Sequence, residues 1–381
     1  MNFNLYERTA FLTVAGSWSY GTATDASDVD VRGFAIPPRA YRSGFLHSFE
    51  QADSPSQMEC FRNQVLVHFS GAVQARLAAG EKIDGAVYDL RKFVKLAVEA
   101  NPNILDVLFA PRDAYIIVTP FGRQLINARL LFLSRKVVHT FRGYGVAQIK
   151  KIDRHHRWLR DPPTAPPTRA DFDLPERTVM TRDQLGAVLA EVRARIDSWE
   201  VDFADTPGPT KIHVQEQLER TLEDWRLSAE SEKFFAAGKL LGFDTNFLQV
   251  MDNERRYRRA MEEWQHYEHW KKTRNPARAV LEAQYGYDTK HGAQLVRLLQ
   301  ACRDILVTGD YPVRRPNRDE LLAIRGGSWS YDRLMGWARD QDAELLELAK
   351  TSPLPHSPDR KKIEAVLCDI IDAADAEEQK A

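Results

Sequence analysis

The sequence predicts an α+β fold, with a mixed sheet and its helices at the N-terminal end and a mostly α-helical region after it. Three observations carry this. Apolar strand-like runs bounded by turn residues lie before Pro120, whereas beyond it apolar residues recur at three- and four-residue intervals, the period of an amphipathic helix. Proline gathers instead in segment 160–177, which is too rich in it for a helix or strand interior and reads as an exposed loop or linker. The length, 381 residues, suffices for two modest domains, and the division is expected at residue 125, giving 1–125 and 126–381.

Composition narrows the class. Acidic and basic residues nearly cancel, at a formal net charge of −1, so any nucleic-acid contact must come from a local patch. No apolar run approaches eighteen residues, and no charged-then-apolar leader is read at the N-terminus, so no membrane association is expected and the expected location is the cytoplasm. Cys60, Cys302 and Cys368 are far apart and without metal-ligand spacing, which suits reduced thiols.

In chain order, residues 9–15 and 29–36 read as the first two strands, joined through Gly16-Ser17. Asp28 and Asp30 are two residues apart, so in an extended strand they project from one face about 7 Å apart. Val29, Val31 and Ala35 face the other way, toward a core. Two carboxylates aimed at one spot repel unless a cation lies between them. Mg²⁺ suits that place because it takes hard oxygen ligands and is commonly shared with substrate phosphates, which points to a nucleoside triphosphate. Gly16 lets the backbone approach closely, and successive amides with the Ser17 hydroxyl can hold phosphate oxygens.

The pattern Gly-Ser, then Ser27-Asp28-Val29-Asp30, resembles the nucleotidyltransferase signature of the DNA polymerase beta superfamily. Its extension through Arg32-Gly33 is similar to the bacterial and phage branch associated with RNA-repair ligases. The resemblance implies a polymerase-beta-like sheet in residues 1–125 and a two-metal Mg²⁺ site, with Mn²⁺ as a substitute. It also implies an NTP as donor, ATP first among them, and RNA as a plausible acceptor. No motif names a protein partner.

The superfamily's third carboxylate comes from a neighbouring strand. Residues 82–88 read as that strand and Asp89 as the N-cap of a helix to about Ala100, stopped by Asn101-Pro102. Asp84 is the first choice, and Asp89 the second because a capping side chain is already engaged. The catalytic and metal-binding set is then Asp28, Asp30 and Asp84, with Gly16, Ser17, Arg32, Lys92, Lys290 and His291 toward the nucleotide or acceptor. Segment 90–109, which contains Lys92 and Asn101, resembles a second family block. Asp106 reads as a surface acid. Residues 60–78 have an apolar pattern that does not decide between strand and helix.

The helical part begins with residues 135–152, whose Gly143-Tyr144 and Gln148 resemble another block. His155-His156 has no third ligand at useful spacing, so metal binding is not expected there. Helices are expected over 181–200, 212–240 and 253–278, the last with arginines and the aromatics Tyr257, Trp264, Tyr267 and Trp270. That stripe suits base stacking or ordinary burial. Gly286-Tyr287-Asp288-Thr289-Lys290-His291 resembles a further block, with Asp288 as N-cap and Lys290 and His291 in the first turn, where phosphate is favoured. The family's second histidine is replaced by Gln294. A closing helix is expected over 361–374, with a disordered tail. Nucleotide transfer to RNA is the leading reading. Transfer to a protein or small molecule, and a non-catalytic RNA-binding module, are the alternatives.

Overall fold

The computed structural model describes residues 3–178, 181–197, 234–235, 238–239, 241–274 and 276–380. The chain forms two compact units, Met1–Arg160 with Pro276–Ala381, and Asp161–Asn275. Residue 125, where the division was expected, lies in a helix inside the first unit.

The first unit is built on a five-stranded mixed sheet of β1 (Thr9–Val14), β2 (Asp30–Ala35), β3 (Gln51–Ala52), β4 (Asp84–Asp89) and β5 (Tyr115–Val118), in the order β3-β4-β2-β1-β5. β2 and β4 are parallel and the other neighbours antiparallel. β1 is buried along its whole length, as a strand covered on both faces must be. Leu12, Val31, Ala35 and Val87 pack on one side with Met58, Phe61, Val65 and Leu77. Phe11 and Phe34 pack on the other with Phe93, Leu105, Phe141, Leu295 and Leu299. Gly33 has a steric origin: a Cβ there would lie 1.9 Å from the Phe11 carbonyl oxygen across the β1–β2 bulge.

The helices of this unit are α1 (Leu5–Arg8), α2 (Ser17–Tyr20), α3 (Arg39–Arg42), α4 (Pro55–Met58), α5 (Arg62–His68), α6 (Gly71–Ala78), α7 (Leu90–Val98), α8 (Pro102–Leu108), α9 (Pro120–Asn127) and α10 (Val137–Arg160). Segment 60–78 is therefore mainly helical, its apolar positions Val65, Val73 and Leu77 buried under the sheet. β5 escapes the sequence reading because Tyr-Ile-Ile-Val is too short to show a period. Asn101 does more than stop α7: its side chain caps α8, and its amide donates to the Tyr144 hydroxyl at 3.0 Å.

The second unit holds α11 (Arg182–Asp197) and α12 (Thr245–Thr273). α12 starts earlier than expected because Asp244 caps it, accepting from the amides of Asn246 and Phe247. Val192, Phe234, Leu248 and Met251 form a small core. Along α12, Trp264, Tyr267 and Trp270 lie successively 5.9 Å apart, with Arg274 over the Trp270 ring. Most of the helix expected over 212–240 lies outside the described residues.

The chain then returns to the first unit as α13 (Pro276–Tyr285), α14 (Thr289–Thr308), α15 (Arg318–Arg325), α16 (Tyr331–Thr351) and α17 (Arg360–Glu378). The tail expected to be disordered is helical to Glu378. Asp375 and Glu378 pair with Arg42, and Glu378 also with Arg8, which explains its order. The α+β class expected from the sequence is the fold of this protein.

Candidate active site

β1 ends at Val14, and the chain turns through Gly16 at φ +63°, a backbone conformation that side-chain-bearing residues rarely adopt. A Cβ at this position would also stand 3.2 Å from Asp30 Oδ2. The backbone thus favours glycine beside the acid, and a side chain there would have to displace the Asp30 carboxylate slightly. Ser17 opens α2, and the Trp18 indole donates to the Asp28 carbonyl oxygen at 3.0 Å, tying the turn to the acidic segment.

Asp30 opens β2, and its partner across the parallel ladder is Asp84, the first residue of β4. Neighbouring parallel strands are about 4.8 Å apart, so these two acids share one edge of the site. Asp28 precedes the strand by two residues and is exposed, as is Asp84. Burial raises the pKa of Asp30 above the usual carboxylate range; Arg32 opposes this, Asp84 and Asp28 add to it, and Lys290 opposes it. Those five side chains therefore share one electrostatic neighbourhood.

Asp89 occupies the other end of β4, five residues or about 16 Å along the strand. It caps α7 by accepting from the amides of Arg91 and Lys92. Lys92 is at this distant end too, its ammonium 2.7 Å from Glu50, so it is not brought to the acids. Its placement follows from α7 starting only where β4 has left the acidic edge. Lys290 and His291 both lie in the first turn of α14, whose N-cap Asp288 accepts from their amides. Lys290 is exposed and acts on Asp30, whereas the His291 ring lies 3.4 Å from Asp288 Oδ2.

Asp106, expected at the surface, is buried. The Tyr20 hydroxyl donates to it at 2.6 Å, the Tyr311 hydroxyl donates to its other oxygen, and Arg297 pairs with it at 3.4 Å while lying 3.8 Å over the Tyr20 ring. The end of α2 is thereby anchored to α8, α14 and the segment after α14.

Sequence reasoning missed a cavity of about 300 Å³ whose lining includes Arg112, Arg123, Arg129 and Arg314 around Tyr115. Tyr115 pairs with Thr13, which on its other side pairs with Arg32, so the cavity begins level with the acidic edge and two strands away. The guanidinium groups of Arg112 and Arg123 make no ion pair or hydrogen bond among the described residues, while Arg314 pairs with Asp113. These arginines come from separate segments, 112–129 and 314, so no local run of basic residues announces them.

Asp28, Asp30 and Asp84 offer hard oxygen donors at an exposed edge; burial first, and then the neighbouring Asp84 and Asp28, disfavour the charge on Asp30, and a divalent cation would offset that, so the residue types suit Mg²⁺. Their carboxylate oxygens are not gathered as closely as the ligand atoms of His155, Glu282 and Asp288, which all lie within 4.8 Å of one another. Among the described residues no helix is long and apolar enough to cross a membrane. Searches of curated proteins and of solved structures returned no match to the chain. Residues 5–162 match the family described as RlaP, RNA repair pathway DNA polymerase beta family, and this part of the chain is a polymerase-beta-family nucleotidyltransferase domain linked to an RNA repair pathway.

Proposed function

We propose that the protein transfers a nucleoside monophosphate from an NTP, ATP first among the candidates, to a hydroxyl of RNA. The observation that carries this reading is the ladder pairing of Asp30 with Asp84 beside the Gly16 turn. Asp28, Asp30 and Asp84 would hold Mg²⁺, which when bound offsets triphosphate charge and favours the alkoxide form of the acceptor. Gly16 and Ser17 receive the triphosphate. Asp84, exposed at the strand end, accepts the proton of the acceptor hydroxyl. The hydroxyl oxygen bonds to the α-phosphorus as the bond to the bridging oxygen of the β-phosphate breaks, and pyrophosphate leaves. Arg32 and Lys290 neutralise charge that builds on the phosphates. His291, turned toward Asp288, steadies the turn that carries Lys290.

RNA is favoured as acceptor by the arginines around Tyr115. Interstrand spacing puts Tyr115 about 10 Å from Arg32, two strands away in the sheet, so the cavity is on the side where an RNA strand leaving the acids could run. The aromatic stripe of α12 is less apt for stacking, since its rings pack on one another and on Arg274. The test is incubation with each α-labelled NTP, Mg²⁺ and cellular RNA. Label in RNA that disappears with Asp30→Asn supports the proposal. Label on protein without RNA selects nucleotidylation of a protein. RNA binding without consumption of any NTP selects the non-catalytic module.

A further inference from the structure

We infer that His155, Glu282 and Asp288 form a second metal site, for a first-row divalent transition cation such as Zn²⁺, distinct from the aspartates at the sheet end. Each offers a ligand atom, and the three atoms lie within 4.8 Å of one another. The side chains are buried, at 7%, 2% and 3% exposure respectively. They come from three elements: the last turns of α10, α13, and the N-cap of α14. Two carboxylates this close in a buried place repel strongly, and a cation between them is the direct compensation.

The donor set selects the ion. An imidazole among the ligands favours zinc, copper, iron or nickel over Mg²⁺, Ca²⁺ and Mn²⁺, which prefer oxygen. A second imidazole is at hand, since the His291 ring lies 3.4 Å from Asp288 and 6.2 Å from the His155 ring. It stands outside the group of three and holds Asp288 from the other side, as an outer partner of a metal ligand does.

The surroundings are built to hold this geometry. His156 stacks on Tyr331 at 3.9 Å with the rings 5° from parallel, and its Nδ1 is 2.6 Å from the Gly286 carbonyl oxygen. Tyr287 is fully buried and donates to the Trp329 carbonyl oxygen at 2.9 Å. The loop that presents Asp288 is thus fixed from both sides, as metal sites require of their supporting shell. The cation would join α10 and α13 to the first turn of α14, the turn from which Lys290 acts on Asp30.

The experiment reads metal directly and needs no NTP, so it stands apart from the transferase proposal. Full-length protein is stripped with chelator, dialysed, and titrated with Zn²⁺ and with Co²⁺, following metal content and the visible Co²⁺ bands. One equivalent is expected to be retained. His155→Gln and Glu282→Gln should each weaken binding about 100-fold or more, whereas the exposed control Glu347→Gln leaves it unchanged. Should the two variants fail to fold, carbethoxylation of His155 in the wild type, mapped by mass spectrometry, must be suppressed by Zn²⁺. Stripped wild type that takes up neither ion, His155 and Glu282 variants that bind as well as wild type, loss of binding in Glu347→Gln, or unprotected His155 overturns the inference.

Discussion

Asp30 and Asp84 are ladder partners in adjacent parallel strands, whereas Asp89, which competes with Asp84 in the sequence, pairs with Ala35 at the opposite strand end. Five residues of β4 thus separate a carboxylate beside the acid pair from one that caps a helix.

Asp84→Asn is expected to lower nucleotide transfer by about 10²-fold to 10⁴-fold, as loss of a general base does. Asp89→Asn should retain transfer and cost at most about 1 kcal/mol of stability, the value of a good cap. Single-turnover transfer alongside urea unfolding measures both. Equal loss of transfer in the two variants would count against Asp84 as the base.

Charge at Asp30 opposes folding, because burial and the neighbouring aspartates raise its pKa above the unfolded value. Between those two values the folded state binds more protons, so stability falls as pH rises through that window. Without divalent cation, Asp30→Asn should therefore raise stability at pH 7 and flatten this part of the pH profile. A lower Tm than wild type contradicts the repulsion argument.

Gly16→Ala should cost about 1–3 kcal/mol, since its backbone is strained for any side chain, and should also depress transfer by pressing on Asp30. Thermal unfolding and transfer should fall together. A variant with full activity would mean that the turn is not part of the site.

Arg297 is 2% exposed, and its removal leaves Asp106 in a buried place without its cation. Arg297→Met should cost about 3–5 kcal/mol, and pairing it with Asp106→Leu should restore part of the loss. Tyr311→Phe should cost about 1–3 kcal/mol. Additive losses in the double variant would contradict the coupling.

The arginine cavity makes a separate prediction. Arg112→Ala and Arg123→Ala should each reduce the slope of log affinity for single-stranded RNA against log salt by about 0.7. Fluorescence anisotropy across a salt series measures it, and an unchanged slope removes these residues from the RNA path.

The first half of the proposed site is legible in the sequence because it is local. Gly16, Ser17, Asp28 and Asp30 fall within one turn and one strand start, where spacing in sequence is nearly spacing in space. The strand pattern also told which face each residue takes, and Val31 and Ala35 do lie opposite Asp30 in the packing. Asp89 is the N-cap that the sequence suggests, and the helix begun there carries Lys92 to the far strand end, away from the acids; which end that is depends on strand pairing, not on the local pattern.

What the sequence determined alone was the acidic turn-and-strand signature, the helical character after Pro120, and the N-cap at Asp288. The tertiary structure decided which carboxylate stands beside Asp30, that Asp106 is buried against Arg297, and that arginines from separate segments surround Tyr115. It also brought Glu282 and Asp288 to His155, whose own neighbours in the chain offer no third ligand. Local patterns follow from backbone geometry within a few residues, whereas these groupings depend on how strands order themselves in the sheet and how α10, α13 and α14 pack.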